Sequence, residues 1–179
     1  MAVDVGAVII AVAGVAGTVT GALLSQRGAE RVKRRELELV RAHQESREEL
    51  ALRRTCYVEL NRDARQFTTA LNRHLHVMRE RGVQDADKEA LEEAKDAHRD
   101  RYSEAQMIAP DEVLACAHAV NRALTDTYGQ VKRLERGEPA AGETMEGAAQ
   151  AQHGIWELIR AMRSAMRRDL GVASEGREA

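Results

Sequence analysis

Residues 50–78 read LALRRTCYVELNRDARQFTTALNRHLHVM, and within them Leu50, Tyr57, Leu60, Ala64, Phe67, Leu71, Leu75 and Met78 follow three-to-four spacing, with a double step of seven between the first two. That spacing places one apolar stripe along a helix, and such a stripe is buried against other helices. No glycine or proline interrupts the chain between Gly28 and Gly82, so one helix of about 53 residues, roughly 80 Å long, is expected there. Its first half, ELVRAHQESREEL, has almost no apolar seam. Residues 27–49 therefore read as a polar helical neck, and the packed domain is expected to begin near Leu50. A seam of this kind is also what a coiled-coil spacer needs, which counts against that role for the neck.

Three further helices are expected downstream. One runs from about Ala86 to Ile108 behind Asp85 or Asp87 as cap, with an acidic face of Glu89, Glu92, Glu93, Asp96 and Asp100. Ala109-Pro110-Asp111 ends it, because proline disfavours helix in the residue before it. Asp111 is then expected to cap a helix through about Arg136, striped by Val113, Cys116, Ala117, Val120, Leu124, Val131 and Leu134. GEPAAGE at 137–143 reads as a loop. A last helix, about Thr144 to Leu170, should bury Ile155, Trp156, Ile159, Met162 and Met166, with Gly171 as its stop. Four amphipathic segments on short links predict an all-α antiparallel bundle over 50–171, followed by a polar tail at 172–179.

Composition agrees with that class. Aromatics are 3% of the 179 residues, prolines number two and alanines 30, which excludes an all-β domain. Two cysteines exclude a disulfide scaffold. Charged residues reach 31% and the net charge is −2, with 23 Arg against 4 Lys. A near-neutral chain without a basic, aromatic-studded face is not expected to bind nucleic acid. The arginine bias with high Ala, Val and Gly fits the codon usage of a GC-rich bacterium.

The N-terminus suggests a location. VGAVIIAVAGVAGTVTGALLSQ, Val5 to Gln26, carries no charge, and as a helix it would reach about 33 Å, enough to cross a bilayer core. A cleaved signal peptide would carry positive charge before the apolar run, whereas here the only preceding charge is Asp4 and the basic residues follow. Residues 1–26 are thus expected to be a transmembrane anchor. RGAERVKRR at 27–35 supplies Arg27, Arg31, Lys33, Arg34 and Arg35, which by the positive-inside rule puts the N-terminus outside and everything after Arg27 in the cytoplasm of a bacterial cell. At 100° per residue Gly6, Gly14, Gly17 and Gly21 share an arc of about 80°, with Ala13 continuing the ridge. Such a face permits close backbone approach, so self-association through the span is expected.

Tyr102 through Leu124, YSEAQMIAPDEVLACAHAVNRAL, and the ending MRRDLG resemble single-pass helical-bundle proteins of actinobacteria. The resemblance covers about a third of the chain, rests on Pro110, Asp111 and the small-residue stripe, and implies a fold rather than an activity.

The chemical groups point away from catalysis. His74 and His76 are two positions apart, as are Cys116 and His118, so on a helix neither pair shares an ion. No H-E-x-x-H occurs, and no glutamate stands three residues before a histidine as a bundle di-iron site needs. Cys56 and Cys116 read as small buried hydrophobes. His98, on the apolar side of its helix, reads as a hydrogen-bonded core or interface residue. Phosphate loops, nucleophile elbows and glycine-rich fingerprints are missing from the sequence. No catalytic, metal or cofactor site is expected, and the expected partners are the bilayer, further copies of the chain and a cytoplasmic protein. The favoured reading is a membrane-anchored interaction or scaffold module. The alternative is a membrane-active oligomer such as a pore-forming, killing or plasmid-spread factor of a mobile element.

Overall fold

In a computed structural model the backbone is described for residues 5–172, and side chains for residue 33 and 35–172. The proposed span, its glycine face (Gly6, Ala13, Gly14, Gly17, Gly21) and Arg27, Arg31 and Arg34 lie outside the residues whose side chains are described. Lys33 and Arg35 are exposed. Among the described residues no helix is long and apolar enough to cross a membrane.

Four helices make up the described chain: α1 (Val5–Glu80), α2 (Asp85–Ile108), α3 (Asp111–Glu135) and α4 (Met145–Asp169). The chain divides between Glu49 and Leu50 into two units. In the first, every described side chain is exposed, Leu37, Leu39 and Val40 included. The second unit is a four-helix bundle whose up-down order follows from which residues meet. Tyr57 near the start of its α1 portion donates to Asp169 at the end of α4 (2.7 Å), while the Gln152 side chain of α4 donates to the Thr68 carbonyl of α1 (3.1 Å). Arg101 on α2 meets Glu59 on α1, and Arg168 on α4 meets Glu112 on α3. Each neighbouring pair therefore runs antiparallel, as links this short require.

The core is filled by Tyr57, Leu60, Ala64, Phe67, Leu71 and Leu75 from α1, Leu91 and Ala105 from α2, Val113, Val120, Leu124 and Val131 from α3, and Ile155, Ile159, Met162 and Met166 from α4. Leu50 does not belong to it: at 44% exposure it stands in solvent, and burial begins at Cys56. Met78, Cys116, Leu134 and Trp156 are half-buried at its margin rather than inside it.

Two caps differ from expectation. Gln84, not an aspartate, is the N-cap of α2, and Asp87 serves from inside the first turn by accepting from the Gln84 amide (3.1 Å). Pro110 occupies the N-cap of α3 and Asp111 is its first helical residue, where a carboxylate still faces the positive end of the helix dipole. At α4 Thr144 caps through its hydroxyl, which accepts from the Gly147 amide (3.0 Å). Glycines at positive φ stop α1 and α4. Gly82 (φ 77°) donates to the Val77 carbonyl, and Gly171 (φ 67°) lets Val172 reach back to Arg167 (2.8 Å).

Candidate functional site

The face of α1 opposite its buried stripe carries Val58, Arg62, Arg65, Thr69 and Arg73. It forms the floor of an open groove of about 720 Å³, whose walls are Asp87, Ala90 and Leu91 of α2 and Trp156 of α4. The sequence builds it from the back of the heptad pattern. Residues at 57, 60, 64, 67 and 71 turn inward, so those at 58, 62, 65, 69 and 73 must turn outward.

Electrostatically the groove is basic. Arg62 bonds Asp63 (2.8 Å) and is partly neutralised. Arg65 lies over the Trp156 ring, 5.6 Å from its centroid, a cation–π contact. Neither Arg65 nor Arg73 has a carboxylate within ion-pair distance among the described residues. Asp87, the one acid of the lining, is held by two bonds from Arg81 (2.9 and 3.0 Å). The Gln84 amide and the Arg81 guanidinium together outweigh its partial burial and hold its carboxyl below the usual range. Two polar atoms of the lining, Asn61 Oδ1 and His74 Nδ1, are buried without a hydrogen-bond partner. The other nitrogen of His74, Nε2, meets Glu135 of α3 at 3.1 Å, and Lys132 donates to the same oxygen (2.8 Å). Burial pushes the Glu135 carboxyl up, but these two bonds prevail and lower it.

Behind the groove the helices share a buried ring cluster. His98 lies 6.0 Å from Phe67 and 6.2 Å from Tyr102, and Phe67 lies 6.1 Å from Tyr128. Tyr102 hydrogen-bonds His118, and Tyr128 donates to Glu92, which also pairs with Lys95. His98 is 2% exposed and neither ring nitrogen has a hydrogen-bond partner of good geometry. Burial lowers its pKa to about 4, a weaker contact with Asn121 acting the other way. A hydrogen-bonded core or interface histidine was the expectation; the position is core, but the ring is held by aromatic packing. Cys56 is buried as expected, and burial followed by the charges of Glu104 and Glu59 raises its thiol. Cys116 is only half-buried. Among the described residues no three His, Cys, Asp or Glu side chains converge as metal ligands.

The groove is the part of the surface that sequence reasoning passed over. The chain's arginines read as codon bias, and Trp156 read as core. The signal available was the recurrence of arginine at 62, 65 and 73 along one face, directly behind the clearest buried stripe in the chain. No protein-family model, curated protein or solved structure matches this chain.

Proposed function

We propose that the chain is a non-enzymatic interaction module anchored in the bacterial cytoplasmic membrane by residues 5–26, with the bundle held on the cytoplasmic side. The observation that carries the interaction half is the open groove. Arginine and tryptophan are enriched among residues that dominate binding energy at interfaces, and here Arg65 and Arg73 stand exposed with no carboxylate within ion-pair distance among the described residues, beside the half-buried Trp156. The uncharged run Val5–Gln26 and the basic cluster after it support the anchor.

The anchor is tested by alkaline extraction of membranes and by a reporter fused after Ala179. Retention in the pellet and activity only of a cytoplasm-dependent reporter are expected; recovery in the supernatant overturns it. The docking half is tested by affinity capture from detergent-solubilised membranes. Wild type should retain a stoichiometric protein, foreign or a second tagged copy, that R65E/R73E loses, and identical profiles overturn it.

The glycine arc of the span favours a second reading, a membrane-active oligomer. Gly17→Ile and Gly21→Ile should abolish span-driven association in a membrane two-hybrid assay, whereas Val12→Ile and Val19→Ile should not. If the same glycine variants also end membrane damage on overproduction, the oligomer reading replaces the module.

A further inference from the structure

The bundle carries two complementary charged stripes of matching length. On α1, Arg62, Arg65, Thr69 and Arg73 run along the groove floor. On α2, Glu89, Glu93, Asp96 and Asp100 run along the side opposite the buried Leu91, His98 and Ala105. Eleven residues separate the first and last members of each stripe, about 16 Å of helix. Glu89 and Glu93 have no cation within ion-pair distance among the described residues. Among the described residues Asp96 and Asp100 share one cation, Arg99, at 3.4 and 3.8 Å. Each stripe also continues into an exposed apolar side chain: Val58, 61% exposed, before Arg62, and Met107, 86% exposed, beyond Asp100.

We propose that the groove receives α2 of a second copy of this chain, in a reciprocal two-fold dimer. This deepens the reading of the bundle as a docking module by naming the occupant of its groove. Helices α1 and α2 run antiparallel within one bundle, so a two-fold axis along the bundle sets α2 of the copy antiparallel to α1. In that register Arg62 faces Asp100 of the second copy, Arg65 faces Asp96, Thr69 faces Glu93 and Arg73 faces Glu89. Met107 then falls within one helical turn of Val58. Because the contact is isologous, every pair occurs twice. Exposed ion pairs contribute little individually and are screened by salt. The dimer therefore depends on all of them together with the Val58, Met107 and Trp156 contacts, and weakens as ionic strength rises.

The test uses the full chain as two differently tagged copies in membranes, with Cys56 and Cys116 replaced by alanine. Thr69→Cys in one copy and Glu93→Cys in the other should form an intermolecular disulfide under mild copper–phenanthroline oxidation; Thr69→Cys in both should not. Adding R65E/R73E to both copies, or E89R/D96R to both, should reduce the cross-link about tenfold, since each change reverses four pairs in the dimer. Placing R65E/R73E in one copy and E89R/D96R in the other restores opposite charges across both halves and should restore the cross-link. Absence of the Thr69–Glu93 cross-link, or failure of the swapped pair to recover it, overturns the proposal. The first of these is the result an acidic segment of a foreign protein would give. Alkaline extraction of the same samples reports separately on the anchor, so loss of the membrane reading and loss of the dimer are distinguishable.

Discussion

Replacing His98 should change how the stability of the bundle depends on pH. The imidazole is 2% exposed beside Phe67 and Tyr102, with no ion pair to compensate a positive charge. Its pKa falls to about 4 from an ordinary value of 6.5. The denatured chain therefore takes up a proton that the folded bundle refuses. The penalty is absent well above pH 6.5, grows as pH falls below it, and levels off below pH 4. At about 1.4 kcal/mol per pH unit the whole effect is roughly 3 kcal/mol, of which about 2 kcal/mol lies between pH 7 and pH 5. Carboxyls that are lowered in the fold, such as Glu92 and Glu135, lose their contribution only below their ordinary value of 4.5, so they leave this window to the histidine. Urea unfolding followed by the fluorescence of Trp156, the one tryptophan of the chain, reports on the bundle alone. Wild type should lose about 2 kcal/mol between pH 7 and pH 5, and His98→Leu should lose little of it. Equal losses in the two proteins would refute the account, as would an NMR titration placing His98 near 6.5.

Leu71 is fully buried and Leu50 is 44% exposed, so Leu71→Ala should cost about 3 kcal/mol and Leu50→Ala under about 0.5 kcal/mol in the same unfolding experiment. Thr144→Ala removes the hydroxyl that accepts from Gly147 and should cost about 1 kcal/mol, with Thr144→Ser restoring most of it. Glu143 bonds Arg133 and the Ala140 amide, which hold its carboxyl at about 2. Carbon-detected NMR should show it still ionised at pH 3.5, and Arg133→Gln should raise its titration midpoint.

Much of the architecture was legible because it rests on a period. The inward positions of α1, α3 and α4 follow from apolar residues three and four apart, and an all-helical bundle is what those stripes build. Helix ends were less legible, since they depend on one local conformation. Asp85 and Asp87 looked like equal cap candidates, yet Gln84 holds the extended backbone of the N-cap and Asp87 answers it from within the helix. Leu50 continued the three-to-four spacing but precedes the first buried position by a turn and a half, and spacing alone does not say where the opposing helices stop. The groove escaped notice for another reason. Its outward arginines obey the same rule as any solvated face, and only the placement of Trp156 and the α2 wall turns that face into a concavity.

Gln152 has a consequence for how the bundle chooses one alignment over its neighbours. Leucine, isoleucine, alanine and valine stripes are interchangeable after a slide of one turn, since an apolar knob finds an apolar hole either way. The amide of Gln152 does not have that freedom. In the native alignment it donates to the Thr68 carbonyl, while the Thr68 hydroxyl donates to the Ala64 carbonyl. Sliding α4 by a turn, about 5 Å, would strand that amide among apolar groups, a loss of about 1–3 kcal/mol. Within the core, this buried donor thus acts as a key that the native docking of α4 on α1 accepts. Gln152→Leu would keep the core apolar while removing that lock, leaving the Tyr57–Asp169 bond at the far end of the pair as the polar contact that still sets α4 against α1.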